Sequence, residues 1–379
     1  MDFTIDRAEL LAGIDKCALV AADAKHATEA FRLMTVHATN KKKEKVRFTA
    51  VGEFASVDTV GKATIQTAGS FNALPGHLHA VVSAMPPGGI QFTMKETRVT
   101  AKSLVAKRKT SFESHSLEVK AVEDPGASAP WQEVDAQELV RALAVVKNAS
   151  TWIGRSDPVA SLLLPGEGGL KVFGCNMYML ALVETTIRMD GPPIIMPAAA
   201  SSVLSLMAPI DANVKIFADQ HRVYLENCDT LVSARLFEYV FLKTHEHLLT
   251  MFTETTTKGP TFALDKLTAG VKSLHGLGSF AGASERNDYG FALRATFGET
   301  VRVGLDLAAA GGHDEFDVIK PGAEIDVHLW SNHFEKVLAS FADAELKDTQ
   351  ALLATNPPSQ LLVLRTKGIT YGLMTKKET

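Results

Sequence analysis

Cysteine is scarce: the 379 residues include three, Cys17, Cys175 and Cys228, far apart and with no CxxC pair. That excludes a disulfide framework and a structural zinc site of ordinary ligand spacing, and it suits a reducing cytosol. Charge of one sign is not in excess either. Lys and Arg number 39 and Asp and Glu 43, a net charge of -4. A polycation held to DNA by bulk charge is excluded; a basic surface on an acidic body is not. No apolar run approaches the ~18 residues that a membrane span needs. The longest candidate, Pro192 to Leu206, is broken by Pro and Ser. The first residues, MDFTIDRAELLAG, carry acids and no basic-then-apolar run, so no signal peptide is expected and the expected location is the cytoplasm.

Motifs of catalysis are equally thin. The HEH of His245 and His247 lacks a third ligand at recognisable spacing. GLGSFAG (276–282) is Gly-rich but has neither the Lys nor the Ser/Thr of a phosphate loop. GGHDEFD (311–317) gathers acids in what reads as a turn between strands, and Asp314 would be its central carboxylate, but the calcium-loop pattern is incomplete. There is no GxSxG. The expectation is a protein without intrinsic catalysis, cofactor or metal.

What is present is globular composition, 46% hydrophobic and 22% charged, which rules out a disordered chain. It is organised as a repeat. Amphipathic helix patterns run over 6–20, 135–149 and 263–277, with Asp6, Asp135 and Asp265 placed to cap their starts. From Asp6 to Asp135 is 129 residues, and from Asp135 to Asp265 is 130. A second helix set covers 74–86, 196–209 and 329–342; the first two open with Pro, suited to a first turn, and the third offers Ser331 as a cap. Period-2 segments follow each, such as GGIQFTMKETRVTAKS and ANVKIFADQHRVYLEN, the pattern of half-buried antiparallel strands. EDPGASAP (123–130) and TETTTKGP (253–260) read as linkers. Three domains follow, at 1–125, 126–252 and 253–379. Lys41-Lys42-Lys43 with Lys45 separates two strands and reads as a hairpin tip; it accounts for the +3 of the first third, against -4 and -3 in the others.

The segments MDFTIDRAELLAGI, NALPGHLHAVVSAMPPGGIQFTMKETRVTAKS and IIMPAAASSVLSLMAPIDANVKIFADQHRVYLEN resemble the bacterial DNA polymerase III beta subunit, the sliding clamp, in a divergent form. The order and spacing of elements along the whole chain carry the likeness rather than a short motif. The resemblance implies an α+β fold of three repeated DNA-clamp domains, each two helices packed on antiparallel sheets. It implies a head-to-tail dimer ring whose helices line a hole for duplex DNA. It implies double-stranded DNA, a DNA polymerase catalytic subunit and a clamp loader as partners, and a processivity role without catalysis. The alternative is a clamp-like protein-interaction scaffold that has lost topological tethering.

A sliding ring needs sequence-independent phosphate attraction and few base contacts. The helices offer Lys16, Arg141, Lys147, Lys266, Lys272 and Lys336, besides His77, His79 and His333. Lys25 and Arg155 follow first helices, where loops border the hole in the family. Singly, each cation is equally well a solvated side chain; the threefold placement is the argument. The family's partner-peptide groove maps onto Cys175, Met177, Tyr178, Met179 and Leu180, onto Phe237, Phe241 and Leu242, and onto Met374 as the lip. The family's polar edge is replaced by Met and aromatics, so a more apolar groove, partly filled by its own side chains, is expected. Ring closure is expected to join Phe112, on an edge strand of the first domain, to Leu274 and Leu277 at the end of the third domain's first helix.

Overall fold

The computed structural model describes the chain apart from residues 22–28, 40–44, 118, 121, 127, 151–159, 177, 209–211, 237–256, 279–288, 308–310, 342–348, 357–358 and 376–379. Among the described residues one element order recurs three times: strand, helix, four strands, helix, three strands. The first run is β1 (Asp2–Asp6), α1 (Arg7–Val20), β2 (Met34–Thr39), β3 (Lys45–Val51), β4 (Ala55–Thr67), β5 (Gly69–Ala73), α2 (Pro75–Ser83), β6 (Gly89–Lys95), β7 (Arg98–Ser103) and β8 (Lys109–Glu113). The second is β9 (Gln132–Asp135), α3 (Ala136–Val146), β10 (Ala160–Leu164), β11 (Lys171–Cys175), β12 (Met179–Glu184), β13 (Ile194–Pro197), α4 (Ala198–Met207), β14 (Asn213–Ala218), β15 (Arg222–Glu226) and β16 (Thr230–Arg235). The third is β17 (Thr257–Phe262), α5 (Leu264–Leu277), β18 (Ala292–Phe297), β19 (Thr300–Asp306), β20 (Gly311–Asp317), β21 (Ile325–Trp330), α6 (Ser331–Ser340), β22 (Thr349–Asn356), β23 (Ser359–Thr366) and β24 (Ile369–Met374).

Local chemistry starts three of the six described helices as the sequence predicts. Asp6 Oδ1 accepts from the Ala8 amide at 2.8 Å, and Asp135 Oδ1 from the Glu138 amide at 2.7 Å, satisfying donors that a helix leaves free at its start. Pro75 occupies the first turn of α2. Three expectations need correction. Asp265 lies inside the first turn of α5, whose cap is Ala263 with no side-chain bond; there its charge still faces the positive helix end. Pro197 stands at the cap position of α4 instead of its first turn. Ser331 is the buried first residue of α6, and its hydroxyl accepts from the Phe291 amide at 3.1 Å.

Two segments read as irregular are strands. Thr257 to Pro260, half of the second linker, belong to β17, which pairs with β22 at Thr257, Lys258, Thr261 and Phe262, so that linker is shorter than expected. GGHDEFD is β20, paired with β19 through all seven residues. Its acids suggested a turn, but they alternate: Gly312, Asp314 and Phe316 are half-buried while His313, Glu315 and Asp317 are exposed. The hairpin expected around Lys41 to Lys43 is formed by β2 and β3, which pair from Met34–Ala50 to Thr39–Lys45; its tip lies outside the described residues.

The chain divides into two compact units, residues 1–140 with 196–236 and residues 141–195 with 237–379. The reason lies in the sheets, which run from one repeat into the next. In the first unit the strands follow the order β8-β7-β6-β1-β4-β16-β15-β14-β9, with β3, β2 and β5 branching from β4. The long β4 makes this possible. One edge pairs with β3; the other pairs with β16 over Ala55–Thr59 and with β1 over Ala63–Thr67. In the second unit one sheet runs β13-β10-β11-β12-β24-β23-β22-β17 and another β20-β19-β18-β21. The middle repeat is thereby shared between the units.

Each unit has an aromatic-rich core. In the first, Phe3 stacks on Phe92 and Phe92 on Phe71, at centroid separations of 5.2 and 5.8 Å. Helix α1 approaches the sheet closely at Gly13, where a Cβ would lie 2.5 Å from the ring of Phe48. In the second, Phe262 meets Phe297 at 5.5 Å and Phe341 meets Tyr371 at 5.7 Å.

Candidate nucleic-acid and partner surfaces

The helices bury one side against the sheets and expose the other, which sorts the candidate cations. Arg141, Lys147, Lys266, Lys272 and Lys336 are exposed. Lys16 is not, and its phosphate-contact role is corrected. It is 5% exposed, and its ammonium donates to Thr230 Oγ1 at 2.8 Å and to Thr59 Oγ1 at 3.3 Å. Burial pulls its pKa below the usual lysine value, against the attraction of Asp229 and other groups. The periodicity put Lys16 on the helix; that it faces β4 and β16 depends on a strand pair 171 residues apart in sequence. His333 is likewise buried, at 2% exposure. Lys25 and Arg155 lie outside the described residues.

Several strands have a single ladder partner among the described residues, and two of these edges carry charge of opposite sign. One is β8, bonded only to β7; the other is β20, bonded only to β19. Phe112 sits half-buried on β8, its ring 5.8 Å from both Phe71 and His77. Leu274 is 2% exposed, spent inside its own unit on the back of β20, so it offers nothing outward; this corrects its interface role. Leu277 is half-buried near Gly312. The sequence reading missed β20 itself as an edge strand. The signal was the alternation of GGHDEFD. Basic Lys107, Arg108 and Lys109 lead into β8, while β20 carries Asp314, Glu315 and Asp317.

Of the groove set, Cys175 (3% exposed), Met179 (1%) and Leu180 (3%) are core side chains. Cys175 and Leu180 pack with Leu162, Phe173, Leu361 and Val363, and burial drives the Cys175 thiol pKa up to about 12. These three line no open groove, a correction that follows from their burial: Cys175 and Leu180 pack face to face with Leu352, Leu361 and Val363 of the third repeat. Met177, Phe237, Phe241 and Leu242 lie outside the described residues. Met374 packs partly against the same core, and its amide donates to the Tyr178 carbonyl at 2.8 Å.

Tyr178 is different. It is half-buried at the tip between β11 and β12, and Asn176 Oδ1 accepts from its amide at 2.9 Å. Its ring lies 4.8 Å from both Tyr289 and His333, and its hydroxyl donates to the Tyr289 hydroxyl at 2.9 Å. That bond, with smaller help from burial, raises the Tyr178 pKa. Beneath the two rings burial holds the His333 imidazole neutral, its pKa lowered to about 4 with a smaller contribution from Lys336. Tyr289 was missed by the sequence reading because it precedes β18 in no recognisable motif.

No protein-family model matches the sequence, and no curated protein matches it. Solved structures do. Over 100% of both chains the fold is similar to the DNA polymerase III beta subunit of Thermotoga maritima (14% identity, TM-score 0.80). It is similar over the same full span to the DNA polymerase sliding clamp of Bacillus subtilis (11%, 0.79) and to the Caulobacter crescentus pol III beta (16%, 0.76). The chain has the sliding-clamp fold from end to end.

Proposed function

We propose that the chain is a DNA sliding clamp: two copies close head to tail into a ring around duplex DNA and tether a DNA polymerase. The observation that carries this reading is a rule of strand pairing. In the first two repeats the third strand of the four-strand set joins the last strand of the following repeat. β4 joins β16, and β12 joins β24, both antiparallel. The rule leaves β20 without a following repeat and β8 without a preceding one. A second copy supplies both, and a two-fold pair leaves neither edge open. Antiparallel pairing sets Lys107 to Lys109 of one copy beside the acidic end of β20 of the other, a complementary match.

The domain boundaries at 125 and 252 mark these repeats in the reading. Exposed Arg141, Lys147, Lys266, Lys272 and Lys336 supply phosphate attraction, which holds any sequence and lets the ring slide. Lys25 and Arg155 complete the set from the family resemblance. The protein adds no chemistry of its own; it acts by topology, as a cytoplasmic processivity factor. The polymerase and a clamp loader engage it through an apolar peptide site around Tyr178 and Met374.

Loading on a nicked circle, followed by linearisation, tests the reading. The protein should stay on the circle and leave the linear form. Retention that ignores linearisation would defeat the topological mechanism and favour the scaffold alternative.

A further inference from the structure

We propose that Tyr178 is a built-in occupant of the partner site: its ring, latched to Tyr289 above His333, holds the place that an apolar or aromatic side chain of a partner peptide takes. This rests on the peptide-site reading above and assigns that site a regulation. The backbone at Tyr178 is fixed, since Asn176 Oδ1 accepts from the amides of Tyr178 and Met179 at 2.9 and 2.8 Å, and the Met374 amide holds the carbonyl. The side chain is held by much less. Among the described residues it has one bond between neutral hydroxyls, 2.9 Å long and readily exchanged for water, and two ring contacts. Rotation about its own side-chain bonds would release it without breaking a strand pair.

What it covers is unfinished. His333 is 2% exposed, and its Nε2 is buried with no hydrogen-bond partner among the described residues. A buried ring nitrogen without a partner is costly and uncommon in a settled core. The tyrosines cap it: Tyr178 stacks on the imidazole at 29°, and Tyr289 lies 5.2 Å away at 43°. Trp330, 6.2 Å from Tyr289, extends the aromatic wall. Tyr178 comes from the second repeat, Tyr289 and His333 from the third. Swinging one ring therefore opens a seam between repeats onto an aromatic floor with a free hydrogen-bonding atom. A peptide bearing an aliphatic and an aromatic side chain, with a polar group able to reach Nε2, fits that chemistry.

The dipeptide N-acetyl-Leu-Phe-amide serves as the probe, titrated by isothermal calorimetry or NMR into the full chain. Tyr289→Phe removes the latch and keeps the ring, and should tighten binding about threefold or more; Tyr178→Ala removes the occupant and should tighten it about tenfold or more. Equal affinity in wild type and both variants would overturn the proposal. So would weaker binding to Tyr178→Ala, because Tyr178 would then be a wall of the site. If Tyr178→Ala fails to fold, Tyr289→Phe still decides. Retention on circular DNA, measured on the same proteins, keeps the two readings apart: loss of retention with the affinity order intact removes the clamp reading and leaves the latch standing.

Discussion

Lys16→Met should make the protein more stable. Lys16 lies between α1 and the β4–β16 pair with its ammonium on two threonine hydroxyls, and no carboxylate pairs with it among the described residues; Asp229, the largest attraction it feels, is bonded to Lys45 at 2.9 Å. Two hydrogen bonds from a charged donor are worth about 3 kcal/mol together. Taking the ammonium out of water costs several kcal/mol. Methionine has similar length, fills the space, and strands neither hydroxyl, because Thr59 and Thr230 Oγ1 already lie 2.8 Å apart and can bond to each other. The expected net gain is about 1 kcal/mol at neutral pH. Its pH dependence has a definite sign. The folded pKa of Lys16 is below the unfolded value, so between the two the unfolded chain binds more protons and wild-type stability rises with pH. The advantage of the Met variant should be whole below the folded pKa and fade as pH climbs toward the unfolded one. Urea melts of both proteins at pH 7 and pH 10 read the difference directly. A variant less stable by 1 kcal/mol or more at pH 7, or a gap that does not shrink at pH 10, would refute the reasoning. DNA retention should be unchanged, since a buried ammonium touches no phosphate.

Other outcomes follow from the same geometry. Phe112→Ala on β8, or His313→Pro on β20, should raise the dimer dissociation constant about tenfold or more in sedimentation; variants that remain as dimeric as wild type would count against the edge pairing. Charge reversal at Lys266, Lys272 and Lys336 together should weaken DNA retention and flatten its salt dependence by about 0.9 for each phosphate no longer neutralised, and an unchanged slope would remove these residues from the interface. Gly13→Ala should cost about 1–3 kcal/mol, because the new methyl meets Phe48; a thermal melt within a degree of wild type would show that α1 can lift off the sheet freely.

The threefold repeat was legible without coordinates because its causes are local. Asp6 and Asp135 cap helices through bonds two and three residues away, Pro75 suits a first turn, and strands such as β14 and β15 alternate in and out on a period of two. Groove membership, exposure and edges were not legible, because they depend on which strand lies beside which. Lys16 and Leu274 fall on amphipathic helices like their neighbours, yet both are buried, one by β4 and β16, the other by β20. Cys175, Met179 and Leu180 follow a family pattern in sequence yet are buried, Cys175 and Leu180 against Leu352, Leu361 and Val363 of the third repeat. Tyr178, Tyr289 and His333, spread over 155 residues, meet only because the second and third repeats share a sheet. Periodicity is a property of the chain; adjacency of strands is a property of the packed sheet, where hydrogen bonding and burial choose the partners.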